Sequence, residues 1–171
     1  MDLLAGLQPA CREEVVWPGG QHLEVTTFLV DRLDGEANLS SVRAVVLSGD
    51  REVLVVSDPT STHILPGGRI QPGESLDLAL KREIGEESGW TVLEPRLIGV
   101  LHFHHLKPRA DGVPATDFLQ AVFAVERDAY HLELREQDGH ETGSEFVSIE
   151  DARSLDLTQR ERMLLKAALL H

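Results

Sequence analysis

Three glutamates that follow a glycine-rich stretch are the side chains of this sequence most clearly suited to chemistry. Glu83, Glu86 and Glu87 are spaced so that a helix, turning about 100° per residue, gathers them on one side. Two carboxylates held ~5 Å apart repel each other by roughly 3 kcal/mol at an effective dielectric constant of ~20. A hard divalent cation with oxygen ligands, such as Mg²⁺ or Mn²⁺, relieves that repulsion. The spacing therefore predicts a metal site, and the alternative is an ordinary surface helix with salt bridges.

A loop followed by a helix must position these carboxylates. Glycines and prolines in residues 65–73 cannot continue a helix or strand and predict a tight loop. Ser75 is suited to cap a helix N-terminus and Gly89 to end a helix, so we predict a helix over residues 76–88. Arg82 lies within it and can orient a neighbouring carboxylate. The glutamates fall within or at the edge of the inward apolar stripe formed by Leu76, Ala79, Leu80 and Ile84.

The loop and helix also match a longer spaced pattern. Its fixed positions are filled in order, without insertion, by Gly68, Glu74, Arg82, Glu83, Ile84, Glu86, Glu87, Gly89 and Trp90. This run resembles the Nudix box, the signature of the Nudix hydrolases. One upstream position departs from the family, because His63 stands where many relatives carry an aromatic residue.

The resemblance implies a role for each matched residue. The implied metal ligands for Mg²⁺, with Mn²⁺ as a substitute, are Glu83, Glu86, Glu87 and the backbone carbonyl of Gly67. Arg82 and Glu74 would hold those ligands in place. Glu83 is also a candidate to accept a proton from water.

The resemblance further implies an activity. We expect Mg²⁺-dependent hydrolysis of a phosphoanhydride bond in a nucleoside diphosphate linked to another group X, such as a nucleotide sugar or ADP-ribose, with a metal-activated water as nucleophile. One alternative is a house-cleaning nucleoside triphosphate pyrophosphohydrolase. A different class is a non-catalytic nucleotide-binding module or an isoprenoid diphosphate isomerase. The intact carboxylate set favours an enzyme over an inert binding module.

Six residues outside the box are weaker candidates for substrate binding. His102 and His104 share one face of a predicted strand, where they could contact phosphates or bind a transition metal, although a pocket wall or an ordinary strand surface is the better interpretation. Lys107 and Arg109 are clustered cations that suit phosphate groups, although solvated loop charges are as good an interpretation. Glu141 and Glu145 lie in an acidic loop where Nudix relatives often place another carboxylate; a solvated loop is the simpler interpretation of either.

The strand pattern predicts an α/β fold. Strands are expected over residues 22–33, 42–48, 52–57, 93–106 and 116–126, and the second and third should form a hairpin. Their nearly continuous apolarity predicts a sheet covered on both faces, hence an α/β/α sandwich with a mixed β-sheet, which the Nudix resemblance also implies. Ser148 should cap a helix, and Thr158 with Glu161 should form a capping box for the last helix, which should bury Met163, Leu164, Ala167 and Ala168.

Composition limits the class of protein. The 171 residues suit a single Nudix domain over 1–171, with residues 1–20 as an N-terminal extension of open role. A net charge of −13 opposes nucleic-acid binding, so the expected partner is a small phosphorylated molecule. The single cysteine, Cys11, and the absence of a long apolar run predict a cytoplasmic protein without membrane association. A monomer and a homodimer are both compatible with the sequence.

Overall fold

The computed structural model describes residues 4, 6–17, 19–33, 39–49, 51–59, 61–108, 116–136 and 142–170. The strands are β1 Cys11–Trp17, β2 Gln21–Phe28, β3 Leu39–Ser48, β4 Glu52–Ser57, β5 Thr62–His63, β6 Trp90–Val92, β7 Arg96–His105, β8 Phe118–Tyr130 and β9 Gly143–Ser148. The helices are α1 Leu76–Ser88, α2 Ile149–Ser154 and α3 Gln159–Ala168, and a short 3₁₀ turn spans Leu132–Leu134. Within these ranges, no helix is long and apolar enough to cross a membrane.

The strands form one curled mixed sheet. Its order is β1-β2-β7-β8-β3-β4-β5, with β9 paired to β4 and β6 paired to β8. β3 and β8 run parallel, and the other pairs are antiparallel. The predicted β3–β4 hairpin and the mixed sheet are confirmed.

Helices cover both faces of the sheet, as the apolar strands predicted. On one face, α1 packs through Ala79, Leu80 and Ile84 against a core that includes Val46 and Leu54. On the other face, α2 and α3 pack against a second core. Alternate residues of β3 and β4 enter the two cores, which explains why both strands are apolar throughout. The α/β/α sandwich is confirmed.

The predicted helix termini agree with the structure. α1 spans residues 76–88, begins at the Ser75 cap and ends at Gly89, whose φ of 79° is left-handed. Ser148 caps α2, and Thr158 forms the predicted capping box at the start of α3. One part of the last prediction was wrong: α3 buries Leu165, whereas Met163 and Ala167 are only partly buried.

Several predicted strand boundaries were wrong, and β3 begins at Leu39 instead of residue 42. β2 ends at Phe28 instead of residue 33, because its last partner, Val100, lies beside the bulge at Gly99. The predicted strand over 93–106 begins only at Arg96, since Pro95 has no N–H for a ladder. The predicted strand over 116–126 is longer and ends at Tyr130. The Asp34-Gly35 pair, which from sequence predicts a turn at the end of the strand expected over residues 22–33, lies outside the described residues.

The N-terminal segment forms an edge of the sheet. β1 pairs antiparallel with β2 from Cys11 opposite Thr27 to Trp17 opposite Gln21. Glu13 accepts hydrogen bonds from the backbone amide of Gln159 (2.9 Å) and the Arg160 guanidinium (3.0 Å) at the start of α3. The sequence left the role of residues 1–20 open, and the structure gives residues 11–17 a fixed place against β2 and α3.

Candidate active site

The loop before α1 runs along the N-terminal half of β3. The amides of Ala44 and Val42 donate to the carbonyls of Pro66 and Gly68, both at 2.9 Å. Gly67, between them, has a φ of +134°, and a Cβ there would lie 2.3 Å from the carbonyl oxygen of Val42. Only glycine fits this position. The Gly67 amide turns toward α1 and donates to Glu87 Oε2 at 2.9 Å.

Gly68 allows the loop to approach a second carboxylate. A Cβ on Gly68 would lie 2.2 Å from Oε2 and 2.7 Å from Oε1 of Glu83. The carboxylate of Glu83 therefore sits directly against the backbone of the loop. Because Gly67 contacts Glu87 and Gly68 contacts Glu83, two carboxylates one helical turn apart face the same stretch of loop.

Arg82 is the centre of a charged network that joins the loop to the helix. Its Nε and Nη2 donate to the two carboxylate oxygens of Glu74, at 2.8 and 2.9 Å. Its Nη1 donates to Glu83 at 2.8 Å and to Glu86 at 3.1 Å. Nη2 also donates to the backbone carbonyl of Arg69 at 3.0 Å. A bidentate arginine pair of this kind fixes orientation as well as charge.

The network is only partly exposed to solvent. The side chains of Glu74, Glu83 and Arg82 are 13%, 16% and 23% exposed to solvent. The hydrogen bonds from Arg82, aided by the amide of Gln71, hold the pKa of Glu74 down at about 2. The hydrogen bonds to Glu74 in turn raise the pKa of Arg82, with smaller contributions from Glu83 and Glu86. The pair therefore stays ionised throughout the physiological range.

The donor set suits a hard divalent cation. Glu83, Glu86 and Glu87 offer carboxylate oxygens from one side of α1, next to the Gly67–Gly68 backbone. Among the described residues, no three acidic, histidine or cysteine side chains already stand in a ligating arrangement. The reason is visible in the contacts: Glu83 and Glu86 both bind Arg82 Nη1, while Glu87 binds the amide of Gly67.

A cleft of about 480 Å³ lies on the sheet face opposite α1. Leu101, Phe103 and Gln120 belong to its lining, and Trp17 of β1 also faces it. The loop contributes Leu65, whose carbonyl accepts a hydrogen bond from Arg43 at 3.3 Å. The volume is that of a small-molecule site. Because Leu65 is two residues before Gly67, the cleft and the carboxylates are neighbours along the same loop.

The two candidate histidines share one face of β7, as predicted, but they do not line this cleft. His102 Nε2 and His104 Nδ1 each lie 3.0 Å from the carboxylate of Asp117. Burial alone would raise the pKa of Asp117, but the hydrogen bonds and electrostatic attraction of His104 and His102 outweigh it and lower that pKa. Since Leu101 and Phe103 face the cleft, strand alternation turns the histidines to the other side. Asp117 was missed, because its pairing with the histidines depends on the β7–β8 register.

The remaining candidates lie apart from the carboxylate network. Lys107 Nζ is 3.5 Å from His22 of β2. Glu145 is exposed on β9, opposite Val55, and its neighbour Phe146 is the residue that packs toward α1. Arg109 and Glu141 lie outside the described residues. Glu136 contacts α1 through its backbone, where its amide donates to the carbonyl of Glu86 at 2.9 Å.

The fold and the loop–helix network together define the Nudix hydrolase architecture. The sequence model of the NUDIX domain matches residues 37–168, so the chain belongs to the Nudix family. The family and its hydrolase neighbours support an enzyme of the pyrophosphohydrolase class. Nudix hydrolases generally use divalent metals, in agreement with the donor set.

Solved structures share the fold. A NUDIX hydrolase from Nitrosomonas europaea is 24% identical, with a TM-score of 0.57 over 77% of this chain and 88% of that one. A MutT NUDIX hydrolase from Burkholderia pseudomallei is 20% identical, with a TM-score of 0.56 over 78% and 98%. The NUDIX domain of Shewanella oneidensis NrtR, solved with ADP ribose, is 17% identical, with a TM-score of 0.57 over 78% and 88%.

Proposed function

We propose that this protein hydrolyses a phosphoanhydride bond in a nucleoside diphosphate linked to another group X, such as ADP-ribose or a nucleotide sugar, with Mg²⁺ or Mn²⁺ as cofactor. The observation that supports this most directly is the set of glutamates held by Arg82 against the Gly67–Gly68 loop. Arg82 donates to three of these glutamates, and the backbone amide of Gly67 donates to the fourth, Glu87. A cluster of carboxylates suits a cation that in turn attracts a diphosphate.

Each residue of the network has a separate task in this proposal. The residues that would hold the metal are Glu83, Glu86, Glu87 and the backbone carbonyl of Gly67. The metal, when bound, supplies neutralisation of diphosphate charge and activation of water. Arg82 and Glu74 keep the glutamates oriented, and Glu83, which lies directly against the loop, is the candidate to accept the proton of the attacking water.

The cleft is the proposed site for the nucleoside end of the substrate. Leu65 of its lining is two residues before Gly67, whose amide binds Glu87, so the loop that lines the cleft continues to the carboxylates. Its lining combines the aromatic rings of Trp17 and Phe103 with the polar groups of Arg43 and Gln120, which suits a base joined to a ribose. A substrate bound there can extend its phosphates along the loop toward α1. ADP ribose, the ligand of the NrtR domain, has this kind of structure.

The experiment is a substrate panel with Mg²⁺ that contains ADP-ribose, nucleotide sugars, dinucleoside polyphosphates and nucleoside triphosphates. The products should be a nucleoside monophosphate and the phosphorylated group X. Glu86→Gln should lower kcat by about 100-fold or more, whereas Glu94→Gln, an exposed glutamate between β6 and β7, should not. Release of pyrophosphate from triphosphates alone would instead favour the house-cleaning class. Turnover that is indifferent to both EDTA and Glu86→Gln would refute the proposal.

A further inference from the structure

The edge strand β1 builds part of the cleft although it precedes the segment that defines the family. The NUDIX match begins at residue 37, whereas β1 spans Cys11–Trp17. Alternate side chains of β1 face the cleft side of the sheet, where Val15 packs on the core and Trp17 lines the cleft. The contact of Glu13 with the start of α3 fixes the strand there. The cleft is therefore lined in part from outside the segment that the family model matches.

Trp17 presents an aromatic surface to the cleft. Its ring lies 5.3 Å from that of Phe103 and 5.8 Å from that of Phe118, while Phe103 and Phe118 are stacked at 4.6 Å. Trp17 nevertheless keeps 36% of its surface exposed. An indole that is supported by other rings and still open to a concave site is suited to stack on a flat ligand.

Gln120 places a polar group on the floor of the same cleft. It is 7% exposed and lies in β8 between Leu101 of β7 and Ser41 of β3. Within the part of the chain that the structure describes, its side-chain amide makes no hydrogen bond. An amide offers two donor hydrogens and two acceptor positions, and the unpaired amide of Gln120 is not among the side-chain groups sealed from solvent, so it is open to the cleft. Gln120 is therefore available for a ligand that brings its own donors and acceptors.

We propose that Trp17 and Gln120 are the specificity-determining pair of this cleft, selecting substrates that carry a planar heterocycle. Trp17 stacks on the ring, and the amide of Gln120 hydrogen-bonds the polar edge of that ring. This selection rests on the proposed function, because it assigns the cleft to the nucleoside end. It excludes diphosphates with flexible aliphatic groups, such as isoprenoid diphosphates, as preferred substrates.

Fluorescence tests binding separately from hydrolysis. The chain has two tryptophans, Trp17 and Trp90, so Trp90→Phe leaves Trp17 as the only reporter. The probes are AMP, UMP and ribose 5-phosphate in the presence of Mg²⁺, since none contains a phosphoanhydride bond. Thermal unfolding of the variant first shows that it is folded. We expect saturable quenching by AMP or UMP and no response to ribose 5-phosphate.

Kinetics with matched variants test the energetic contribution of each residue. Trp17→Ala should raise KM for the nucleotide substrate roughly 5- to 100-fold with a smaller change in kcat, as loss of one base stack implies. Trp17→Phe should restore most of the affinity. Val16→Ala, a neighbour on the opposite face of β1 with 64% exposure, should leave KM unchanged. Gln120→Met keeps the shape of the side chain but removes its amide. It should reduce the ratio of kcat/KM between substrates with different bases by roughly tenfold.

The outcomes separate this inference from the proposed function. Quenching of Trp17 by nucleotides with no hydrolysis of any substrate would support the selection and overturn the proposed activity. Normal hydrolysis, together with no change in Trp17 fluorescence and an unchanged KM in Trp17→Ala, would overturn the proposed selection but not the proposed activity. Equal quenching by ribose 5-phosphate and AMP would also overturn the selection.

Discussion

Replacing Gly68 with alanine tests whether the reaction depends on the close approach between the loop and Glu83. The new Cβ would lie 2.2 Å from Glu83 Oε2, whereas ordinary van der Waals contact begins at 3.4 Å, so the carboxylate must retreat by about 1.2 Å. A displacement of ~1 Å in a catalytic group costs about 100-fold in rate, or ~2.7 kcal/mol of transition-state stabilisation. The obstructing atoms belong to the end of a flexible side chain, so the backbone has no reason to move.

The assay pairs kcat/KM for the substrate found in the panel with urea unfolding of the same preparation. We expect kcat/KM to fall about 100-fold and the free energy of unfolding to change by less than about 1 kcal/mol. Gly143→Ala is the matched control, because a Cβ there meets nothing within 4 Å. A folded Gly68→Ala variant that retains activity within a few-fold of the parent would show that Glu83 need not sit against the loop.

Further perturbations of the loop and helix have distinct expected results. Gly67→Ala should lower the free energy of unfolding by about 1–3 kcal/mol, measured in urea, because its φ is +134° and its Cβ would meet the backbone of Val42. Ser75→Ala should cost about 1 kcal/mol through loss of the α1 cap, and Ser75→Gly only a few tenths. The folded-state pKa of Glu74, about 2, lies below its ordinary 4.5, so the stability it contributes is present above pH 4.5 and lost as pH falls toward 2. Across this pH window, the free energy of unfolding of Glu74→Gln should fall less steeply with decreasing pH than that of the parent. Mg²⁺ at a hundredfold excess over Kd should raise stability by about 2.7 kcal/mol in thermal shift, and Glu86→Gln should reduce that increment.

The local features of the fold were predictable because their determinants are close in sequence. Ser75 and Gly89 fix the two ends of α1 through hydrogen bonds that span only a few residues, and the structure agrees with both. The spacing of Glu83, Glu86 and Glu87 likewise needs only the helical period. Strand boundaries were less predictable where a partner strand decides them. β2 stops at Phe28 because its partner β7 has a bulge near Gly99, and nothing in residues 22–33 indicates this.

The residues that escaped prediction depend on register across the sheet. Asp117 meets His102 and His104 only because β7 and β8 pair antiparallel, with Phe103 opposite Phe118. Trp17 was unrecognised because Pro18, Gly19 and Gly20 follow it and the strand before it contains three charged residues. Those charges suit an edge strand, where they discourage pairing with another chain. The available signal was the apolar run Val15-Val16-Trp17 immediately before a proline and two glycines.

Arg82 explains how so acidic a helix can fold before any cation is present. One guanidinium donates hydrogen bonds to Glu74, Glu83 and Glu86. The backbone amide of Gly67 donates a hydrogen bond to Glu87. Because Glu74 receives two of the arginine hydrogen bonds, Arg82 stays anchored even when Glu83 and Glu86 leave it. In the proposed metal site, Glu83 and Glu86 would hold the cation in place of their contact with Arg82. The Arg82–Glu74 pair would meanwhile keep the loop joined to α1.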